Sequence, residues 1–560
     1  MTRGTYNIVL GGEAGQGLVT VGHALAKALV RSGYRIVVTQ SYYSRIRGGH
    51  NTFAVRIHEH EVQAPTESVD LLVALDRETI VEDRIGLKSD GILLSDAAWD
   101  SGETSCLKIP YKELSHPRYS NTVALGVTAY VLGLDLGLLC NLLDEQFKKK
   151  PQVADENKEA LKNTFDWCSG QSSFPHQKLS PVSNPVKRLM MNGHEAVALG
   201  VASAGVKFCS FYPMTPGSSI VMYLMDYVKE MGIVVEQAED EIAAINMAIG
   251  ASFMGAPAMV ATSGGGFALM EEAVSLAGVS ETPIAIFIGQ RPGPATGLPT
   301  RTEQADLNLA LYSGHGEFPR AIFAPGTIED CFHLARKTFE MAEKYQGPAF
   351  LLTDQFIADS YRAIDPFEIE SLEPVALPHK VEITGDKYER YAITESGVSP
   401  RLLPGETEHL VVGDSHEHTE AGHITEDPQI RKAMVDKRLR KEQGMRKEII
   451  PPEIEGDGNP DLLLLSWGST KGAASEAAAF LRAKGTRTAT IHFAQVWPLD
   501  PEQFTHHLDS AKQVISIEGN ATGQFAQLIR RETGFHIHRQ ILRYDGRPFT
   551  PEWILRELSA

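Results

Sequence analysis

Two rhythms of hydrophobic positions alternate along the chain. Short, largely apolar runs at Asn7 to Leu10, Arg35 to Gln40, Thr52 to Ile57, Val206 to Phe211, Pro257 to Thr262 and Pro283 to Gly289 read as buried strands. Between them, Leu18 to Arg31, Ala196 to Ala204, Ile220 to Met231, Asp240 to Met254 and Phe267 to Ala277 carry apolar residues at helical spacing. From Ala196 to Thr353 strand and helix alternate without a break, which predicts a doubly wound parallel sheet. The N-terminal region predicts a second α/β unit that opens as a parallel sheet, with Val123 to Leu139 as one long helix.

The pattern weakens twice. Gly170 to Pro185, rich in Ser and Pro, reads as a linker. Asp365 to Pro452 is rich in Glu, Pro and Gly, and its Lys437 to Lys447 reads as a solvated helix. Within it, Gly413 to His418 with His423 reads as a wet loop, because no regular element fixes the spacing a metal site needs. Alternation returns from Leu462 to Glu532. The expected division is an α/β domain over 1–168, a linker over 169–190, a parallel-sheet domain over 191–365, an extended loop region over 366–457 and a C-terminal α/β domain over 458–560.

Length agrees with several domains, since 560 residues exceed what one core supports. Hydrophobic content of 42% and charged content of 22% are those of an ordinary globular protein. A net charge of -18 argues against nucleic acid or an anionic membrane as partner. No run approaches the roughly 20 apolar residues of a membrane span, and no signal-peptide pattern opens the chain, so a cytoplasmic protein is expected. Cys106, Cys140, Cys168, Cys209 and Cys331 are scattered, with no Cys-x-x-Cys; no metal site is expected on this chain, and any redox cluster belongs to another.

Candidate chemistry gathers where the predicted strands of 191–365 end. Tyr212-Pro213-Met214-Thr215-Pro216-Gly217-Ser218-Ser219 is a tight strand-to-helix loop in which two prolines flank Thr215. Glu239, Asp240 and Glu241 stand where a strand gives way to an apolar helix; such an acid either caps the helix or is a carboxyl whose pKa nonpolar neighbours can raise. Ser263-Gly264-Gly265-Gly266 lets a ligand approach the backbone. Gln290 to Gln304 is a long loop whose arginines could grip an acid.

Two features of the N-terminal region stay open. Gly11 to Gly17 is a glycine-rich turn before a helix, but Thr39-Gln40-Ser41-Tyr42 stands where a dinucleotide site would place an acid, so a structural turn and a phosphate or CoA contact remain. Arg45 and Arg47, both on one side of the Gly48-Gly49 pair, read as either a solvated turn or an anion grip.

Tyr-Pro-Met-Thr-Pro, Glu-Asp-Glu-Ile-Ala-Ala, Ser-Gly-Gly-Gly-Phe, the run Gly289 to Asp306, and the N-terminal Gly-Gln-Gly and Arg-Gly-Gly together resemble the α subunit of 2-oxoacid:ferredoxin oxidoreductases with a γ domain fused at its N-terminus. The extension through Glu417 looks most like the 2-oxoglutarate enzymes. The resemblance implies a γ-type α/β domain, a pyrimidine-binding-type sheet and a transketolase-C-like C-terminal domain. It implies oxidative decarboxylation of a 2-oxoacid on thiamine diphosphate, with acyl transfer to coenzyme A and electrons to ferredoxin, or the reverse carboxylation. By resemblance Glu241 bonds the aminopyrimidine, with Tyr212, Pro213, Gly265 and Gly266 beside it. Thr215 faces the reacting carbonyl, Arg291 holds the substrate carboxylate with Thr300 in support, and Arg47 closes over substrate or CoA. Gly456-Asp457-Gly458 lies in an expected linker with no Asn at the distance a pyrophosphate site needs. Mg²⁺, pyrophosphate and a [4Fe-4S] cluster are therefore expected on a β subunit, in an (αβ)2 assembly. A pyruvate or branched-chain enzyme, a nucleotide-dependent dehydrogenase and a non-catalytic scaffold are the alternative readings.

Overall fold

The computed structural model describes residues 5–43, 49–99, 106–172, 174, 178–180, 182–183, 185–375 and 387–560. The chain forms two compact units: residues 1–191, 359–367 and 550–560 make the first, and 192–358 with 368–549 the second.

The first unit holds an eight-stranded sheet in the order Cys106–Ile109, Leu87–Asp96, Val69–Ala74, Tyr6–Glu13, His50–His58, Arg35–Ser41, Arg362–Ile364, Leu189–Met191. Its opening is mixed, where the sequence suggested a parallel start. His50–His58 lies antiparallel to both Tyr6–Glu13 and Arg35–Ser41. The physical reason is connection length: the few residues between Ser41 and His50 cannot carry the helical crossover that a parallel return requires. The expected single helix Val123 to Leu139 is two, Ser120–Leu132 and Leu136–Gln146. Left-handed Gly133 ends the first, and the Asp135 side chain caps the second by accepting from Leu138 N. The last helix of the chain, Pro551–Ser559, belongs to this unit, with Arg556 paired to Glu67 at 2.9 Å.

The second unit contains two sheets. Seven strands run in the order Gln495–Trp497, Ala321–Phe323, Pro348–Asp354, Ile284–Gln290, Ala258–Thr262, Phe208–Phe211, Val234–Gln237. All pairings are parallel except that of the edge strand Gln495–Trp497. The central strands Ala258–Thr262, Ile284–Gln290 and Pro348–Asp354 are buried along their whole length, which explains their unbroken apolar runs. Five further strands, Glu453–Gly456, Thr488–Phe493, Leu462–Trp467, Gln513–Glu518 and Arg539–Leu542, form the second sheet. One hydrophobic core serves both sheets, joining Phe267 and Phe350 to Trp467, Phe493 and Phe525. Gly456 closes an edge strand of the second sheet, so the Gly-Asp-Gly triplet does not sit in a linker, and Asp457 accepts a hydrogen bond from Thr488 N at 2.9 Å.

The polar segment departs most from expectation. Helix Pro428–Arg446 is not solvated along its length: Lys437 is 0% exposed and Lys441 2%. Their ammonium groups reach the two oxygens of buried Glu281 at 2.6 and 2.5 Å. Arg390 donates to the Glu281 carbonyl at 2.7 Å and to Gln346 Oε1 at 2.9 Å. The histidine loop is only partly wet. His418 is buried with its ring 3.9 Å from that of Tyr391, and Glu417 pairs with Arg431 and Arg438. Among the described residues no helix is long and apolar enough to cross a membrane.

Candidate active site

The loop after strand Phe208–Phe211 is fixed by its contact with the neighbouring strand end. A Cβ at Gly217 would lie 2.1 Å from the Thr262 carbonyl oxygen, so only glycine lets the loop lie this close. Tyr212, Pro213 and Thr215 are exposed while Pro216 and Gly217 are buried, so the loop presents Thr215 outward from an anchored base.

Arg291 follows strand Ile284–Gln290 directly. Its Nη1 donates to the Thr215 carbonyl at 2.7 Å, so two candidates 76 residues apart meet at one sheet edge. Burial lowers the guanidinium pKa from its usual value, an effect that nearby Asp306 opposes. Gln290, behind it, is buried; its Nε2 donates to the Thr353 carbonyl at 3.2 Å and its Oε1 accepts from Asp306 N at 3.1 Å.

The three acids of 239–241 divide their tasks. Asp240 caps helix Glu241–Phe253 by accepting from Ala243 N at 2.7 Å, and Glu239 is exposed. Glu241 is 3% exposed, and its Oε1 is buried without a hydrogen-bond partner among the described residues. A buried carboxyl oxygen left unpaired costs free energy unless a ligand or water completes it. Beside it a Cβ on Gly266 would come within 2.3 Å of Thr262 Oγ1 and 2.5 Å of Glu241 Oε1. Thr262 therefore touches both halves of the site, its carbonyl against Gly217 and its hydroxyl against Gly266. Ser263 Oγ is a second buried, unpartnered atom there. Gly265 is exposed in the first turn of helix Gly264–Val279.

The loop over 291–306 is tied down at its far end. Gln304 donates to the Trp467 carbonyl and accepts from Gly519 N, both at 2.9 Å. Thr300 is half-buried within it. Two of its acids escaped the sequence reading: burial, reinforced by Asp306, pushes the Glu303 carboxyl up to about 7, and burial pushes Asp306 up to about 6 against the pull of Arg291. Also missed was His194, which the sequence showed only as part of a helix start. It is fully buried between Ser219 and Thr353. Arg47 lies outside the described residues. Among the described residues no group of three or more His, Cys, Asp or Glu is placed to hold a metal ion.

Residues 199–437 match the family model described as pyruvate flavodoxin/ferredoxin oxidoreductase, thiamine diphosphate-binding, and residues 7–167 that of pyruvate ferredoxin/flavodoxin oxidoreductase. The α subunit of a 2-oxoacid:ferredoxin oxidoreductase from Sulfolobus sp. is 32% identical, over 97% of this chain and 94% of its own length. The 2-oxoglutarate oxidoreductase subunit KorA of Mycobacterium tuberculosis is 28% identical, over 94% of this chain and 87% of its own. Among solved structures, a 2-oxoglutarate:ferredoxin oxidoreductase from Magnetococcus marinus, with 2-oxoglutarate, coenzyme A and succinyl-CoA bound, superposes with a TM-score of 0.93 at 30% identity, covering 100% of this chain and 99% of that one.

Proposed function

The chain belongs to the family of 2-oxoacid:ferredoxin oxidoreductase α subunits, and on that premise we propose that it serves conversion of 2-oxoglutarate, CoA and oxidised ferredoxin to succinyl-CoA, CO2 and reduced ferredoxin, or the reverse. The ligands of the Magnetococcus marinus enzyme support this choice of 2-oxoacid over pyruvate. The observation that carries the reading is the hydrogen bond from Arg291 to the Thr215 carbonyl at the same strand edge as the unpartnered Glu241 Oε1.

The residues present fit the aminopyrimidine of thiamine diphosphate. The orphaned Glu241 Oε1, lying against Gly266 where no side chain could fit, offers a flat polar ring a hydrogen-bond partner beside bare backbone. When bound, thiamine diphosphate supplies the electron sink for loss of CO2 from a 2-oxoacid. Glu241 Oε1 would meet that ring in a hydrogen bond and relay a proton there, the position that acid–base work on the cofactor requires. Gly265, Tyr212 and Pro213 line the cofactor side. Thr215 turns its exposed hydroxyl to the reacting carbonyl, Arg291 receives the substrate carboxylate in a bidentate grip, and Thr300 supports it. Arg47 closes over substrate or CoA.

A β subunit brings the pyrophosphate site, Mg²⁺ and the [4Fe-4S] cluster that passes electrons to ferredoxin. The wide sequence separation of this chain's five cysteines supports that division. The assembly is an (αβ)2 complex of the cytoplasm. The test is the α chain copurified with its β subunit and assayed with 2-oxoglutarate or pyruvate, CoA and a one-electron acceptor. Arg291→Ala loses about 2–5 kcal/mol of transition-state stabilisation in kcat/KM for 2-oxoglutarate. Turnover near that of the unaltered complex would refute the carboxylate grip, and preference for pyruvate would refute the substrate.

A further inference from the structure

A closed ring of contacts runs beneath the Thr215 loop and returns to it through Arg291. Ser219 Oγ donates to the Pro216 carbonyl at 2.8 Å. His194 places Nδ1 2.6 Å from Ser219 Oγ and Nε2 2.8 Å from Thr353 Oγ1. The Thr353 carbonyl accepts from Gln290, whose neighbour Arg291 donates to the Thr215 carbonyl. Residues 194, 215–219, 290–291 and 353 are thereby joined across three strand ends that are far apart in sequence.

The direction of each hydrogen bond follows from counting protons. A hydroxyl has one, and Ser219 commits its proton to Pro216, so toward His194 it can only accept and Nδ1 must carry the hydrogen. The Pro216 carbonyl also bonds the imidazole, which agrees with an N–H on that side. Burial drives the imidazole pKa down to about 3, so the ring is neutral at working pH and Nε2 is bare. Thr353 must then donate its hydroxyl proton to Nε2. The tautomer, assigned from this network, leaves a single donor order: Thr353 to His194 to Ser219 to the Pro216 carbonyl.

We propose that His194 and Thr353 are positioning residues for the 2-oxoacid step, setting the separation between Thr215 and Arg291. The inference rests on the reading that those two residues receive the reacting carbonyl and the carboxylate. Among the described residues no hydrogen bond joins the ring to Glu241. Loss of the ring should therefore misplace the substrate and leave cofactor activation alone. A displacement on the order of 1 Å in a reacting pair costs about 100-fold. Thr353→Val keeps the shape and removes the one hydroxyl able to donate to Nε2, whereas Thr353→Ser keeps that hydroxyl.

The test uses the assembled α–β complex. Thr353→Val is expected to lower kcat/KM for 2-oxoglutarate by about 10- to 100-fold. The thermal midpoint and the C2-proton exchange rate of bound thiamine diphosphate should stay near wild type, and Thr353→Ser should restore activity. A Thr353→Val complex within twofold of wild type overturns the proposal, as does a Thr353→Ser complex as impaired as Thr353→Val. A loss that merely follows a fall in thermal midpoint also overturns it, assigning the ring to stability. If Thr353→Val fails to assemble, Ser219→Ala breaks the same chain from the other end and is judged by the same three readouts. Arg291→Ala is run in parallel: a wild-type Arg291→Ala complex refutes the substrate reading, while an impaired one beside an unaffected Thr353→Val complex refutes the ring alone.

Discussion

Two buried polar networks lie in the second unit, and they solve the problem of polar atoms without water in opposite ways. Around Glu281 the solution is charge: one carboxylate faces two ammonium groups, and Arg390 takes the backbone carbonyl. Under the Thr215 loop it is neutral and directional, built from hydroxyls, an imidazole and carbonyls. The charged network sets an ammonium group against each oxygen of Glu281 and fastens helix Pro428–Arg446 to the loop around Glu281. The neutral one adjoins atoms that the chain does not complete, Glu241 Oε1 and Ser263 Oγ. Unpartnered buried atoms that meet at a strand edge, as Glu241 Oε1 and Ser263 Oγ do, point to a ligand that completes them.

The largest expected effect lies in the charged network. Glu281→Gln leaves Lys437 and Lys441 without their shared anion, and removing one partner of a buried ion pair costs about 3–5 kcal/mol. Chemical denaturation of the complex should show that loss. A change below about 1 kcal/mol would mean that this cluster is not a fastening. The variant that remains folded should keep its kcat/KM for 2-oxoglutarate, because no member of the cluster reaches the sheet edge; loss of activity in a fully folded complex would erase the distinction between the two networks.

A smaller effect tests the rim of the site. Glu303 has its pKa raised from 4.5 to about 7, chiefly by burial, so between those values the folded state holds a proton that the unfolded state has released. Stability from this group is present below the unfolded value and is lost as pH rises through that window. Glu303→Gln, which cannot ionise, should flatten the decline of the urea midpoint between about pH 4.5 and 7. An unchanged slope would show that Glu303 is solvated in the complex.

The comparison also separates what could be read from the chain from what could not. The placement of Thr215, Glu241 and Arg291 after strand ends was legible because each follows a strand-like run that ends abruptly, and strand ends of a parallel sheet point to one edge. The ring beneath them was not, since His194, Ser219 and Thr353 are ordinary helix-start and strand residues whose meeting depends on three separate crossovers. Lys437 and Lys441 were misread as solvated because a helix rich in Lys and Arg has the same pattern whether it faces water or a buried carboxylate. The partner, Glu281, stands in a short loop more than 150 residues earlier, where no periodicity could flag it. The mixed opening of the first sheet had a signal that went unused, namely the few residues between Ser41 and His50, too few for a helical crossover. Pattern thus revealed elements and edges, while pairing across long separations needed the structure.

The central claim is that the unpartnered oxygen of Glu241 is completed by the aminopyrimidine of thiamine diphosphate. The most direct measurement is the hydrogen–deuterium exchange rate of the cofactor's C2 proton, followed by NMR in the assembled complex without 2-oxoacid, for wild type and Glu241→Gln. The account predicts a rate at least ten times slower in the variant, with cofactor still bound. Exchange at the wild-type rate would contradict it.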